Sequence, residues 1–371
     1  MIEKLVPLLR KTSTGIFLSI LMGFVVGAIV LTAFGYNALE AYTGLIYGVF
    51  GRPRFMLQTI IMSTPIILTG LSVSFAFKTG LFNIGAEGQF IMGAIAASFL
   101  GYMLNLPIII HPIVVMIGAM FMAGLYGALV GFLKSKFGIH EVLSSIMLNW
   151  IALEINNFYV GIPTFRRPNS TAAHAIQDSA HIIFLHEFKN TPEGIARLSE
   201  TEILRELILR TDLNFGIFIA IAAAIVVKFI LNKTSLGYTL KAVGSNKHAA
   251  EFAGIDIKKH IILSMFISGA LAGLASAVYI TGVSPNTISI LAAHENFGFN
   301  GISVALIANA NPIGNIFSAL FFGGMQYGGS RIQSVAGIPG EIINIMVGTI
   351  VFFLGMRTIF IILSDKLKGR S

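Results

Sequence analysis

Long apolar runs constrain this chain more than any other feature. Stretches of about 20 mostly apolar residues, the length a helix needs to cross the hydrocarbon core of a bilayer, occur at roughly 14–35, 55–77, 84–104, 112–133, 141–161, 213–232, 260–281, 290–310, 313–331 and 338–362. Lipid offers no hydrogen bonds to an exposed backbone, so runs of this length must become helices. The expected fold class is an all-α integral membrane protein with about ten transmembrane helices, forming a single domain over 1–371. The eighth and ninth runs are rich in Gly, Asn and Pro, which leaves the helix boundaries over 284–335 open. Only 11% of the 371 residues are charged, against about 25% in soluble domains. A soluble enzyme is thereby excluded. The first run is too long for a signal-peptide core and no small-residue cleavage site follows it. It reads as the first span.

Charge gives the orientation. The net charge is +8, and in a membrane protein it belongs to cytoplasmic loops rather than to a nucleic-acid site. With the N-terminus inside, Lys4, Arg10, Lys11, Lys78, Lys134, Lys136, Lys233, Lys241, Lys247, Lys258, Lys259, Lys366, Lys368 and Arg370 fall on the inner side. Outside, the short loops hold Arg52 and Arg54, with Arg331 near an edge. Both termini are therefore expected in the cytoplasm. Cysteine is absent, which removes disulfides, thiolate nucleophiles and cysteine-bound metals.

Two polar segments interrupt the pattern. The first, 162–212, is an extracytoplasmic insertion with acids and bases in near balance. Within it Pro192 to Arg210 is expected to form a short amphipathic helix on the membrane surface, as a solvated cap or as a docking surface. The second, 233–259, is cytoplasmic. Ser245 is a suitable N-cap, Ala249, Phe252 and Ala253 share one face at i, i+3, i+4 spacing, and Gly254 suits the position past a helix end. So short a helix must rest on something; an ordinary basic loop is the alternative.

The stretch from Gly70 to Ala94, which contains GLFNIGAEGQ at 80–89, resembles the signature of permease subunits of ABC importers for branched-chain amino acids, ribose-type sugars and nucleosides. It is most similar to the nucleoside (simple-sugar) permeases. Leu236 to Ile255 resembles the family's cytoplasmic loop that meets the ATPase, and Gly298 to Gly314 its late polar helix. Departures are mild: Ser245-Asn246 stands where Glu-Asn is common, and Ala308-Asn309-Ala310 replaces a more basic version. The resemblance implies a type II-like permease with broken or re-entrant helices in a bacterial inner (plasma) membrane. It also implies an ABC ATPase subunit, a second permease subunit that is the same or a different chain, and an extracytoplasmic binding lipoprotein. ATP would be bound by the partner, and no cofactor of this chain's own is expected.

That division of labour agrees with the residues, because no G-x-x-x-x-G-K-[ST] phosphate cradle occurs. The ATPase-coupling residues implied are Gly237, Lys241, Gly244, Ser245, Asn246, His248, Ala249, Ala250, Glu251, Phe252 and Gly254. Polar residues inside spans are costly and face a bundle interior or a water-filled path. The candidates are Asn83, Glu87, Gln89, Asn149, Glu154, Asn156, His294, Glu295 and Asn300, with Asn157 and Asn309 beside them. They line a polar route for a solute, or they serve as glue between helices. Glu87 lies between Gly85 and Gly88, where a broken helix is expected. Phe82-Asn83-Ile84-Gly85 and Phe299-Asn300-Gly301 are either halves of an internal repeat or a chance match. His186-Glu187 and His294-Glu295 lack the second histidine of a metalloprotease helix, so no metal site is expected. An ion-gradient transporter or channel would need a titratable cluster at membrane depth, and an intramembrane enzyme a buried nucleophile–base pair.

Overall fold

The computed structural model describes residues 12–355, and among them the regular structure is helical, with extended segments pairing only through isolated bridges. The main helices are α1 (Thr12–Ala33), α2 (Ala38–Phe50), α3 (Pro53–Lys78), α4 (Ala86–Met103), α5 (Ile110–Phe137), α6 (Glu141–Gly161), α7 (Pro192–Ser199), α8 (Gly216–Lys233), α9 (Ser235–Ser245), α10 (Lys247–Phe252), α11 (Ile257–Gly282), α12 (Phe297–Ile307), α13 (Pro312–Ala336) and α14 (Glu341–Gly355). Of these, α1, α3, α5, α8 and α11 are long and apolar enough to cross a membrane. The other expected runs are helical but shorter or more polar, and the run at 290–310 yields the 11-residue α12. Helix α2 lies outside the expected runs; its start is set by Asn37, whose side chain accepts from the N–H groups of Leu39 and Glu40. The basic residues Lys4, Arg10, Lys11, Lys366, Lys368 and Arg370 lie outside the described residues.

The described chain divides into two units, 12–56 with 324–355, and Leu57–Gly323. In the first, Gly23 and Gly27 bring α1 against Ile350 and Met346 of α14. The Tyr42 hydroxyl donates to the Phe24 carbonyl. Arg331 lies 4.9 Å from the Phe55 ring centroid and donates to the Tyr327 hydroxyl at 2.9 Å. Its charge is thus spread over aromatic faces.

In the second unit, α11 packs along α5 and α4. Gly269 and Gly273 make this possible, because a Cβ on either would lie 2.3 Å from the Ala123 or the Ala119 carbonyl oxygen. Small residues let helix backbones approach where lipid gives no hydrophobic drive to associate. Segment 162–215 is fastened across the end of this bundle. The Ala173 N–H donates to Ile288 O at 2.8 Å, Ile182 N–H to Thr281 O at 3.0 Å, and Asn214 Nδ2 to Gly282 O at 2.7 Å. The helix expected over 192–210 stops at Ser199. Thr191 caps it, accepting from the Gly194 N–H at 3.0 Å, and short turns complete the stretch.

The 233–259 segment is more helical than a loop. Thr234 caps α9, accepting from the Gly237 N–H at 3.1 Å. The N-cap expected at Ser245 belongs instead to Asn246. Ser245 is still the last residue of α9, whereas Asn246 is extended (φ −155°, ψ 108°) and its side chain accepts from the Ala249 N–H. Gly254 takes the left-handed conformation (φ +79°) just past the end of α10.

Candidate functional site

Between α3 and α4 the chain breaks and is rebuilt by side chains. Gly80 turns it in the left-handed region (φ +71°), and Asn83 then enters the interior fully buried. Its Nδ2 donates to Gln89 Oε1 at 2.8 Å and to Ser268 Oγ at 2.7 Å, while Gln89 Nε2 donates back to Asn83 Oδ1 at 3.2 Å. The Ser268 hydroxyl donates to the Ser72 carbonyl at 2.7 Å, and the Thr79 and Ser264 hydroxyls are 2.7 Å apart. From α6, Asn149 accepts from the Gly88 N–H at 2.9 Å and donates to the Ile84 carbonyl at 3.1 Å. The start of α4 is therefore held by α3, α6 and α11 together.

Glu87 joins this start to a second helix start. One carboxylate oxygen accepts from the Asn296 N–H at 2.8 Å, the other from the Gly298 N–H at 2.6 Å, and the backbone N–H groups of Glu295 and Phe299 also face it. Asn296 precedes α12 with φ +68° and no side-chain cap of its own. Glu87 replaces that cap from another helix and satisfies donors that a helix N-terminus leaves unpaired. The carboxylate sits in the first turn of α4 and against the first turn of α12, so both helix dipoles favour its negative charge. Close approach requires glycine here. A Cβ on Gly298 would lie 2.2 Å from the Glu87 nitrogen, and one on Gly301 2.7 Å from Thr69 atoms. The Thr69 hydroxyl donates to the Phe297 carbonyl at 2.9 Å.

Farther along α6, Asn156 Nδ2 donates to Ser289 O at 2.8 Å, and Asn157 exchanges two bonds with the Leu291 backbone. These anchor the extended segment before α12. The other predicted residues differ in kind. Glu154 is exposed on α6, where Trp150, Ile151, Ile155 and Phe158 line an open depression with it. The His294 ring is 4.8 Å from the Trp150 ring and 5.7 Å from that of Phe299. Glu295 is exposed and Asn300 partly so. The predicted set thus separates into buried joints (Asn83, Glu87, Gln89, Asn149, Asn156) and a more accessible group (Glu154, His294, Glu295, Asn300) that combines hydrogen-bonding groups with aromatic faces. Phe82–Gly85 precedes α4 whereas Phe299–Gly301 lies inside α12, so the two similar stretches are not placed alike. Sequence reasoning missed Thr69, Ser72, Ser264, Ser268 and Gly298, whose signal is limited to small hydroxyl or glycine residues at helical spacing.

The 233–259 segment reaches this network through glycine. A Cβ on Gly244 would lie 2.5 Å from the Lys78 carbonyl oxygen and 2.8 Å from the Gly80 nitrogen, so the end of α9 rests on the turn that leads into the break. Beyond it α10 buries Ala250 and leaves Phe252 94% exposed. A cleft beside α10 is lined by Lys134, Lys247, Glu251, Asp256 and Lys258 among others.

The family described as branched-chain amino acid transport system / permease component matches residues 55–361. The chain is 34% identical to the guanosine ABC transporter permease protein NupP of Bacillus subtilis, over 95% of this chain and 96% of that protein. It is 36% identical to the nucleoside ABC transporter permease protein NupB of Lactococcus lactis, over 95% and 93%. Against the glucose ABC transporter permease protein TsgB13 of Haloferax volcanii the identity is 26%, over 91% and 85%.

Proposed function

We propose, from the premise that this chain belongs to the branched-chain amino acid transport system permease family, that it is the membrane subunit of an ABC importer for nucleosides. It forms the translocation path, and a separate subunit hydrolyses ATP. The relatives at 34% and 36% identity are named for guanosine and nucleosides, whereas the glucose relative stands at 26%, which supports that cargo class over sugars.

The observation that carries the mechanism is the line of contact from α10 to α12. Phe252 projects from a six-residue helix that cannot persist alone in water. An apolar side chain so exposed beside Lys247 and Glu251 suits a groove on a soluble ATPase subunit. Movement of that subunit would press α9 through Gly244 onto the 78–80 turn. The turn continues into Asn83 and the start of α4, and Glu87 couples that start to α12. Trp150, Glu154, His294, Glu295 and Asn300 would then meet the solute, the rings stacking on a base and the carboxylates accepting from ribose hydroxyls. The clustering of Lys134, Lys247 and Lys258 near α10 supports a cytoplasmic position for that end and, with the N-terminal charges, cytoplasmic termini. The same reading takes the ten apolar runs as spans, with α4 and α12 as broken helices, and includes a second permease chain and a binding lipoprotein.

Competitive uptake tests the cargo. Proteoliposomes holding the assembled complex are expected to accumulate labelled guanosine or adenosine in preference to ribose, glucose or leucine. Preferential leucine or sugar uptake would overturn the nucleoside assignment.

A further inference from the structure

The 162–215 segment contains three metal-ligating side chains that the transport reading does not use. Asp178, His181 and His186 each bring a candidate ligand atom within 4.8 Å of the other two. Their positions are set by the fold. Asp178 opens a single 3-10 turn, Asp178–Ala180, and the buried Ala180, Ile182 and Ile183 hold the chain on either side of His181. Leu185 adopts φ +53° and so starts the one-turn helix that begins at His186. A left-handed conformation is costly for a branched residue, yet this one brings the two rings together, stacked with centroids 3.8 Å apart and 21° between planes.

The hydrogen bonding is incomplete in one particular way. His186 Nε2 lies 3.4 Å from Asp178 Oδ1, and the His181 ring meets the Thr281 backbone. The Nδ1 atoms of both rings are buried and have no hydrogen-bond partner. A buried polar atom left unpaired is destabilising. An Asp–His ion pair accounts for Nε2 of His186 and leaves both Nδ1 atoms unexplained. Two imidazoles and one carboxylate form a donor set suited to a borderline divalent ion.

We propose that Asp178, His181 and His186 bind one divalent transition-metal ion, with zinc the best match, which staples the 178–186 turn across the end of α11. Bond lengths of roughly 2.0–2.2 Å to zinc place ligand atoms about 3.3 Å apart, so binding draws the cluster together. Asp178 can supply that movement, because its side chain is 78% exposed. The His181 contact with the Thr281 backbone is the outer partner that usually fixes a ligating imidazole. A second clamp lies nearby: Lys189 pairs with Asp212 at 3.0 Å, and Asp212 accepts from the Ser284 N–H at 3.0 Å. The ion would reinforce the joint that these bonds make.

The test uses the assembled complex without a histidine tag, stripped by chelator, titrated with zinc chloride, desalted and assayed for metal by mass spectrometry. One zinc per copy of this chain is expected, together with a rise of a few degrees in the unfolding midpoint. The His181→Asn and His186→Asn variants should each weaken zinc binding by more than about tenfold, whereas His260→Asn, which lies well apart in sequence and packing, should not. If a histidine variant fails to fold, Asp178→Asn changes a mostly exposed side chain and should show the same loss. Absence of bound zinc in the wild type, or wild-type zinc binding by the His181→Asn/His186→Asn double variant or by Asp178→Asn, would overturn the proposal. The result is independent of which solute is carried.

Discussion

Around the first turn of α4, polar side chains are buried and joined; on the open side of α6 and before α12, they are accessible. Asn83, Gln89, Asn149 and Glu87 all bond to backbone or to one another. Glu154 accepts no hydrogen bond among the described residues and stands in an aromatic-lined depression with Trp150 and Phe158. Both groups arise from polar residues in apolar runs, yet their physical tasks differ. The first substitutes for helix continuity where the chain breaks, and so sets geometry. The second retains hydrogen-bonding capacity that the fold does not use.

Substitutions separate the two groups. The largest effect is expected for Glu87→Ala, which strips the acceptors from the N–H groups of Asn296 and Gly298. At about 1–3 kcal/mol for each unpaired donor, the unfolding midpoint in detergent should collapse, with Glu87→Gln falling between. An unchanged midpoint in Glu87→Ala would dissolve the distinction. Gly244→Val comes next, because its side chain would strike the Lys78 carbonyl and the Gly80 backbone. The complex should still assemble, but solute-stimulated ATPase activity should fall by more than about tenfold, as for loss of an interaction worth over 1.4 kcal/mol. Asn83→Ala removes three interhelical or loop bonds at about 0.6 kcal/mol each, and calorimetry should find a loss near 2 kcal/mol. The smallest change in stability is expected for Glu154→Gln, within about 0.5 kcal/mol. Its nucleoside uptake should drop several-fold even so. Wild-type uptake would remove Glu154 from the accessible group.

Much of this was legible in the sequence. The apolar runs marked most of the helices, and the glycines at 80 and 85 fall in the connection between α3 and α4, with Glu87 in the first turn of α4. The partner of Glu87 was not legible. It is a pair of backbone N–H groups at 296 and 298, and backbone donors carry no residue-type signal. Helix α2 escaped notice because 13 residues are too few to register as a membrane run. Ser245 and Asn246 are both good caps, and only the continuation of α9 through Ser245 decides between them. The cluster of Asp178, His181 and His186 was hidden by comparison with a single-helix zinc motif. Here a 3-10 turn and the left-handed Leu185 bring the ligands together instead.

The central claim is that this chain moves nucleosides by coupling to a separate ATPase. Uptake of labelled guanosine into proteoliposomes tests it most directly, with and without the ATPase subunit and ATP, and with imposed proton or sodium gradients. Uptake is predicted only when the ATPase subunit and ATP are both present. Guanosine accumulation driven by an ion gradient, with the ATPase subunit left out, would contradict the account.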